Sequence, residues 1–325
     1  MAEKKHSVLA LLEILKNDSD KDHILSSSEI RKKMSDVYGL DIERRTLYSN
    51  IDMLEEFGYK ISRYEDNGKG YYLEERQFGK GEVLLLANAV HASHFIPQKK
   101  SEAMIRKLLS TLSRYDREEF TERVYMPNPK KTQNADLLSN ISLVSEAIRK
   151  RRELQFVYMQ YDLKKKLVPR REEVYVVEPR YIVYADSRAY MVVTSKTHEG
   201  FAHYRLDRMS KVKVRTEKAD TLSKDTDAYE YARNKLFMYG GETSYVEYLC
   251  HNKVLDHMID IFGDDLFLSP IDEEHFDMRI RTSRTAAKFL AQQYLGNIEI
   301  LEPQDLREEF REELRKALEE YRKDK

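Results

Sequence analysis

The fold is decided by residues 154–215, which read LQFVYMQYDLKKKLVPRREEVYVVEPRYIVYADSRAYMVVTSKTHEGFAHYRLDRMSKVKVRT. Apolar and polar residues alternate along this stretch, and Val, Ile and Tyr are concentrated in it, which is typical of a small, strongly twisted sheet or barrel. Turns are expected at Asp186-Ser187 and at Glu199-Gly200. The alternation predicts strands at 154–161, 166–168, 173–176, 178–184, 189–195, 201–206 and 211–215.

The same region holds most of the excess basic charge. The whole chain of 325 residues has a formal net charge of −1. Residues 136–215 carry 17 basic and 10 acidic side chains, a net charge of +7, whereas residues 216–325 carry 16 and 25, a net charge of −9. A basic domain beside an acidic one suggests an anionic partner for the basic domain, and charge complementarity between domains or subunits is the alternative.

Three helices and a hairpin are predicted before this region, within residues 1–77. Apolar residues recur at helical spacing in each helix, and Asn67-Gly68-Lys69-Gly70 has the composition of a hairpin turn. This order predicts a winged helix-turn-helix whose third helix enters the major groove of DNA. The alternative is an ordinary charged surface on a module that binds only protein. The side chains expected to contact DNA are Arg44, Arg45, Thr46, Tyr48, Ser49, Lys60, Arg63 and Lys69.

Residues 78–135 are predicted to form a helical linker that also packs against a second subunit. The reason is that its first helix is apolar almost all round and must be covered. Pro127 and Pro129 break the helical pattern and mark a boundary. His91 and His94 are three residues apart, but no third ligand with suitable spacing accompanies them, so a structural role is favoured over a metal site.

Residues 216–325 are predicted to form a ferredoxin-like domain with one helix appended. The basis is the order of its elements, which is βαββαβ followed by a charged helix. The predicted elements are strand 244–250, helix 252–262, strand 266–269, strand 275–281, helix 284–294, strand 298–301 and helix 303–322. The complete chain is therefore expected to be a multidomain α+β protein.

Several classes of protein lack support in the sequence. No apolar run approaches the roughly 20 residues that cross a bilayer, and a cytoplasmic protein is expected. The single Cys250 cannot form a disulfide within the chain. The motifs of P-loop nucleotide-binding proteins, zinc proteases and serine hydrolases do not occur, so neither a catalytic site nor a cofactor is predicted.

Taken in order, these elements resemble the WYL-domain transcriptional regulators of bacteria. The resemblance rests on RRTLYSNIDMLEEFGYKI at 44–61, on the tract from Tyr158 through VEPRYIVYADSRAYMVV, and on YRLDRMSKV at 204–212. The last motif matches the family's aromatic-Arg-Leu-Asp-Arg-Ile ending and is the most specific of the three. The tripeptide that names the family is replaced here by Ala189-Tyr190-Met191.

The resemblance implies that residues 136–215 form an Sm-like barrel that senses a ligand, in some members a nucleic acid or nucleotide. Tyrosines interleaved with arginines can stack on bases and neutralise phosphates. The predicted function is a homodimeric DNA-binding regulator controlled by such a ligand. A nucleic-acid-processing enzyme and a dimerisation scaffold without sensing are the alternatives. The predicted ligand-binding residues are Tyr158, Arg180, Tyr190, Tyr204, Arg205 and Arg208.

Overall fold

The protein is a mixed α/β chain that separates into two compact units, Met1–Gln133 and Asn134–Lys325. The computed structural model describes residues 2–123, 131–185, 188–195, 198–220, 242–264 and 266–322. The predicted proline boundary at 127–129 and the predicted turn at Asp186-Ser187 lie outside the described residues. Among the described residues, no helix combines the length and the apolar character that a membrane span requires.

Helices dominate the first unit. They are α1 (Ala2–Asp18), α2 (Ser27–Tyr38), α3 (Arg44–Glu56), the one-turn α4 (Tyr64–Asn67), α5 (Lys80–Ala92), α6 (Gln98–Leu109) and α7 (Arg114–Arg123). Two short strands, β1 (Ile61–Ser62) and β2 (Tyr72–Leu73), pair antiparallel on either side of α4. The first three helices share one core, in which Leu11, Ile30 and Leu47 are fully buried. The three helices predicted from the periodicity are therefore present and packed together.

Local sequence explains where α2 begins and ends. The Ser26 hydroxyl accepts a hydrogen bond from the Glu29 amide at 3.2 Å, and the Glu29 carboxylate accepts one from the Ser26 amide at 2.8 Å. This capping box satisfies two amides that the first turn leaves unpaired. At the other end, Gly39 has a φ of 65°, the left-handed conformation that terminates many helices.

The segment between β1 and β2 is more elaborate than the predicted tight hairpin. The Asn67 side chain accepts hydrogen bonds from the amides of Lys69 and Gly70, and α4 occupies the first half of the connection. Gly70 lies against the backbone of Leu25, and a Cβ atom at position 70 would be 2.2 Å from the Leu25 carbonyl oxygen. Glycine is therefore required at position 70 for the bridge between Leu25 and Tyr71 to form.

Arg76 joins the first helix to the linker helices. Its guanidinium donates hydrogen bonds to the carbonyl oxygens of Lys16 at 2.7 Å, Ser19 at 2.6 Å and Thr111 at 3.3 Å. Burial lowers the pKa of Arg76. The side chain thus satisfies three carbonyl groups from two separate parts of the unit.

Replacing Arg76 with methionine is expected to lower the free energy of unfolding by about 2 kcal/mol, because three carbonyl groups lose their donor. Urea denaturation followed by circular dichroism measures the change. The exposed Arg106 on α6 provides the control, and its replacement by methionine should leave stability nearly unchanged. Equal effects at both positions would contradict the role given to Arg76.

The linker helices α5 to α7 pack around Ala87, Ile105 and Phe120. The apolar α5 is not fully covered within this unit, since Leu85 is 71% exposed. Its predicted packing against a second subunit stays a prediction.

The second unit begins with helix α8 (Leu137–Lys150) and a curled antiparallel sheet of six strands. The strands are β3 (Arg152–Tyr161), β4 (Leu167–Pro169), β5 (Tyr175–Ala185), β6 (Arg188–Ser195), β7 (His198–Arg205) and β8 (Met209–Lys218). They are ordered β4-β3-β5-β6-β7, and β8 also pairs with β3. The two strands predicted at 173–176 and 178–184 form one continuous strand, β5. A β-bulge between Pro179 and Tyr181 accommodates one extra residue, so β5 stays paired with β6 on both sides of the bulge.

From residue 242 onward, the described part of the second unit contains a four-stranded antiparallel sheet and three helices. Its elements are β9 (Thr243–His251), α9 (Leu255–Phe262), β10 (Phe267–Pro270), β11 (His275–Ser283), α10 (Arg284–Gln293), β12 (Ile298–Glu302) and α11 (Gln304–Arg322). The strand order is β10-β11-β9-β12. Tyr248, Met278 and Leu290 are fully buried in its core. The order of strands and helices along the chain is the predicted one.

Candidate functional site

Four aromatic side chains meet within the curled sheet. We call Phe156, Tyr158, Tyr175 and Tyr204 the aromatic cluster. The ring of Tyr204 lies 5.1 Å from that of Tyr158, 5.3 Å from that of Phe156 and 5.4 Å from that of Tyr175, edge to face in each case. Phe156 is fully buried, whereas the three tyrosines are partly exposed. The cluster therefore has a buried base and an accessible polar rim.

The strand pattern explains how these side chains meet. Phe156 and Tyr158 are two residues apart on β3 and therefore point to the same face of the sheet. Tyr175 on β5 is the ladder partner of Phe156, and their rings stack at 5.4 Å. Burial raises the pKa of Tyr158 and of Tyr204, so both hydroxyls remain protonated and able to donate hydrogen bonds at neutral pH.

An arginine that was not predicted covers the cluster. The guanidinium carbon of Arg171 lies 3.6 Å from the centre of the Tyr175 ring, and the side chain is exposed. Its nitrogens also approach the carbonyl oxygens of Glu173 and Val174, both at 3.3 Å. Stacking of a cation on an aromatic face orients the cation without neutralising it. The only sequence signal was the Arg170-Arg171 pair immediately before a strand.

The YRLDR motif forms the turn between β7 and β8. Arg205 donates two hydrogen bonds to the buried carboxylate of Asp207, at 3.0 and 2.7 Å. Burial alone would lower the pKa of Arg205, but the bond to Asp207 outweighs it and the pKa is raised. The Arg205 amide donates to the Tyr158 hydroxyl at 3.2 Å. The motif thus ties the turn to the cluster, and much of the Arg205 charge is neutralised.

Arg208 is held by a different partner from Arg205. Its guanidinium carbon lies 4.1 Å from the centre of the Tyr161 ring, at the far end of β3. Arg208 and Arg171 therefore both make cation–π contacts, with Tyr161 and Tyr175 respectively.

The predicted ligand residues Arg180 and Tyr190 have contacts of their own outside the aromatic cluster. Arg180 is partly buried and donates hydrogen bonds to the Glu178 carboxylate at 2.6 Å, the Thr194 hydroxyl at 2.8 Å and the Asp220 carbonyl oxygen at 2.6 Å. Tyr190 is buried with its ring 5.9 Å from that of His203. These contacts give both residues a structural role, and their predicted role in ligand binding stays a prediction.

The predicted DNA-binding residues fall into two groups. Arg44, Arg45 and Ser49 are exposed on α3, and Thr46 and Tyr48 are partly exposed. The Arg44 guanidinium donates to the Tyr48 hydroxyl at 2.5 Å. No ion pair of Arg45 occurs in the part of the chain that the structure describes.

In the second group, Arg63 and Lys60 are less available for phosphate because both form ion pairs. Arg63 bonds to the carboxylates of Asp52 and Glu55 on α3, both at 2.5 Å, and these bonds raise its pKa. Lys60 pairs with Glu75 at 2.5 Å, which raises its pKa as well. Lys69 is exposed in the turn before β2. Glu75 and Glu55 thus bind two of the side chains that were predicted to contact phosphate, Lys60 and Arg63.

Metal binding was not predicted. Among the described residues, no three His, Cys, Asp or Glu side chains are grouped so that they could hold a metal ion.

The sequence of helix α8 and the curled sheet matches the model of a known protein family. A family model described as "WYL domain" matches residues 139–214, from α8 to β8. The chain therefore contains a WYL domain, and the resemblance predicted from the sequence is confirmed for that domain. A comparison with curated proteins found no match.

Two solved structures are similar along most of the chain. One is "Proteasome accessory factor B/C (PafBC) of Arthrobacter aurescens", with 17% sequence identity, a TM-score of 0.28, and coverage of 98% of this chain and 49% of that chain. This chain thus spans about half the length of the PafBC chain. The other is described as a CRISPR Cas-related protein, with 14% identity, a TM-score of 0.38, and coverage of 98% of this chain and 92% of that chain.

Proposed function

We propose that this protein is a DNA-binding transcriptional regulator whose WYL domain binds an anionic ligand, either a nucleotide or single-stranded nucleic acid. It acts by binding and not by catalysis, and a homodimer supplies the DNA contacts that one module lacks. For ligand control, the bound and free states must differ in their affinity for DNA.

The observation that carries the proposal is the aromatic cluster with Arg171 stacked upon it. Three partly exposed tyrosines offer faces and hydroxyls to a base, and the exposed guanidinium offers donors to a phosphate. Proteins that bind single strands without sequence preference combine these two features. A nucleotide or short single strand satisfies both at once.

The first unit supports the DNA-binding part of the proposal. Three helices with a common core are followed by a two-stranded antiparallel sheet, the order expected for a winged helix-turn-helix. Its third helix presents Arg44 and Arg45 to solvent. The order of the C-terminal elements supports a ferredoxin-like domain, and the strand order of the curled sheet supports an Sm-like barrel.

Replacing Arg171 with alanine is expected to weaken ligand binding by about tenfold, because one stacked cation contributes roughly 1 to 2 kcal/mol. Fluorescence anisotropy with labelled mononucleotides and short single-stranded DNA measures the affinity. The matched control is Arg188→Ala, which removes an exposed arginine at the start of β6. This change should leave the affinity for the ligand unaltered. If neither class of ligand binds the wild-type protein, or if both variants bind equally, the proposed ligand site is wrong.

A further inference from the structure

Residues 131–134 join the linker helices to the WYL domain, and we call them the connector. The first compact unit ends at Gln133 and the second begins at Asn134, so the connector leads from one unit into the other. It lies outside any helix or strand, and Gln133 is exposed whereas its three neighbours are partly buried. Each of the three partly buried residues is held by hydrogen bonds.

Lys131 is bonded to the end of α5. Its ammonium donates to the carbonyl oxygens of Val90 at 3.3 Å, His91 at 2.8 Å and Ser93 at 3.0 Å, and to the Ser101 hydroxyl at 2.8 Å. The last carbonyl groups of a helix have no partner within the helix and lie at the negative end of its dipole, so a cation is favoured there. Lys131 makes no ion pair with a residue that the structure describes, and its bonds are to neutral oxygens.

Thr132 is held at the same place through its backbone. Its amide donates a hydrogen bond to the His94 carbonyl oxygen at 2.8 Å. His94 lies two residues beyond the end of α5 at Ala92. Two consecutive residues of the connector are therefore attached to the end of α5 and to the loop that follows it.

Asn134 is attached to the turn between β7 and β8, which contains the YRLDR motif. Its side-chain amide donates to the carbonyl oxygens of Asp207 at 3.0 Å and Met209 at 2.9 Å. The side-chain oxygen of Asn134 accepts a hydrogen bond from the Asp136 amide at 3.0 Å. Both ends of this side chain are thus fixed, and the position of the turn determines the position of Asn134.

The same turn is bonded to the aromatic cluster. The Arg205 amide donates to the Tyr158 hydroxyl at 3.2 Å, and Met209 is the ladder partner of Tyr158. Tyr204, another member of the cluster, immediately precedes Arg205 in the chain. A ligand that displaces Tyr158 or Tyr204 therefore also displaces the carbonyl groups that Asn134 holds.

We infer that the connector transmits ligand binding at the aromatic cluster to the linker helices, and that Asn134 is the residue that couples them. This inference rests on the proposed function, because it names how that site is regulated. Only Gln133 separates the residue bonded beyond α5 from the residue bonded to the turn, so little slack is present to absorb a shift of the turn. The coupling must be reciprocal, and operator DNA should change the affinity for the ligand by the same factor.

Purely local roles are the competing explanation. Lys131 would then serve only to end α5, and Asn134 only to fix the turn. That explanation predicts changes in stability alone. Asn140 offers a comparison, because its side-chain amide donates to the same Met209 carbonyl at 2.9 Å, yet it lies within α8 and outside the connector.

The first test compares Asn134→Ala with the wild-type protein, both full length. Fluorescence anisotropy measures the affinity for a labelled operator duplex with and without saturating oligothymidine of about ten nucleotides. We expect the oligothymidine to change operator affinity by roughly tenfold in the wild type and by less than about twofold in Asn134→Ala. The variant should still bind each nucleic acid alone with nearly wild-type affinity. Asn140→Ala, the matched control, should lower the unfolding midpoint but keep the wild-type ratio.

A second variant separates coupling from folding. Insertion of Gly-Gly between Gln133 and Asn134 retains every side chain described above but adds up to about 7 Å of chain. We expect the same loss of coupling as in Asn134→Ala, with an unchanged unfolding midpoint by circular dichroism. Two independent local roles would tolerate this insertion without any change in the ratio.

Hydrogen exchange provides a measurement that needs no ligand. Asp207→Asn loosens the turn, and we expect it to speed exchange of the Thr132 amide by about tenfold. The same substitution in the protein with the Gly-Gly insertion should leave that amide slow. Exchange is followed by mass spectrometry of the peptide that contains Thr132. The Gly39 amide, which donates to the Ser35 carbonyl in the cap of α2, should exchange at one rate in all these proteins.

The two proposals fail in different ways. If oligothymidine and mononucleotides leave the operator affinity of the wild-type protein unchanged, ligand control is wrong, and the exchange of the Thr132 amide still decides whether the connector couples the turn to α5. A wild-type ratio in either connector variant would overturn the inference. So would an exchange rate of Thr132 that does not respond to Asp207→Asn.

Discussion

Replacing Asp207 with asparagine is expected to lower the free energy of unfolding by about 3 kcal/mol, because one member of a largely buried ion pair is removed. Asp207 accepts both hydrogen bonds from Arg205, and its side chain is only 5% exposed. Asparagine has the same shape but leaves the guanidinium without a counter-charge. The Arg205 amide also bonds to Tyr158, so the aromatic cluster should loosen together with the turn.

Urea denaturation followed by circular dichroism and tyrosine fluorescence measures this effect, since the chain contains no tryptophan. Glu217→Gln is the matched control, because Glu217 makes the same kind of two-bond pair with Arg215 on the surface. Glu217→Gln should change the free energy of unfolding little, because exposed ion pairs contribute little to stability. Converting Arg205 to methionine in the Asp207→Asn background should restore part of the lost free energy of unfolding, because the guanidinium without a counter-charge is then removed. A small effect of Asp207→Asn alone would contradict a structural role for the motif.

Replacing Arg44 and Arg45 together with alanine is expected to weaken operator binding by about 100-fold, since each arginine contributes roughly 1 to 3 kcal/mol at a DNA contact. Both side chains are exposed at the start of α3. The operator is first located by footprinting the protein on its upstream DNA. Its affinity is then compared with that of a scrambled duplex of the same length.

The control for this double change is Arg106→Ala combined with Lys107→Ala, which removes two exposed charges from α6. It should leave operator binding nearly intact. Arg63→Ala should have a smaller effect than the change at α3, because Arg63 is already bound to Asp52 and Glu55. Operator and scrambled duplex bound with equal affinity by the wild-type protein would contradict the proposed regulator.

Much of the local structure was predictable because it depends on residues that are close in sequence. Alternation located the strands of the curled sheet, and helical spacing located α1 to α3. The left-handed Gly39 and the capping residue Ser26 also follow from short-range rules. Boundaries were less predictable, since the continuous β5 depends on its pairing with β6 and the connection between β1 and β2 depends on contacts with Leu25.

The candidate sites were only partly predictable, because pairing partners decide which charges are available. Tyr158 and Tyr204 were predicted and do meet, but Tyr175 and Arg171 join them only through the β3–β5 ladder and a stacking contact. Arg180 has the same charge as Arg171, yet it is bound to Glu178. No periodicity in the sequence distinguishes an arginine that has an acidic neighbour in space from one that has not.

The sequence by itself determined the order of the helices and strands, the excess of positive charge in residues 136–215, and the motif that identifies the WYL domain. These properties depend on composition and on spacing along the chain. Only the tertiary structure decided which cations are neutralised and which tyrosines share a cluster. The physical reason is that ion pairs and ring contacts depend on distances between residues far apart in sequence.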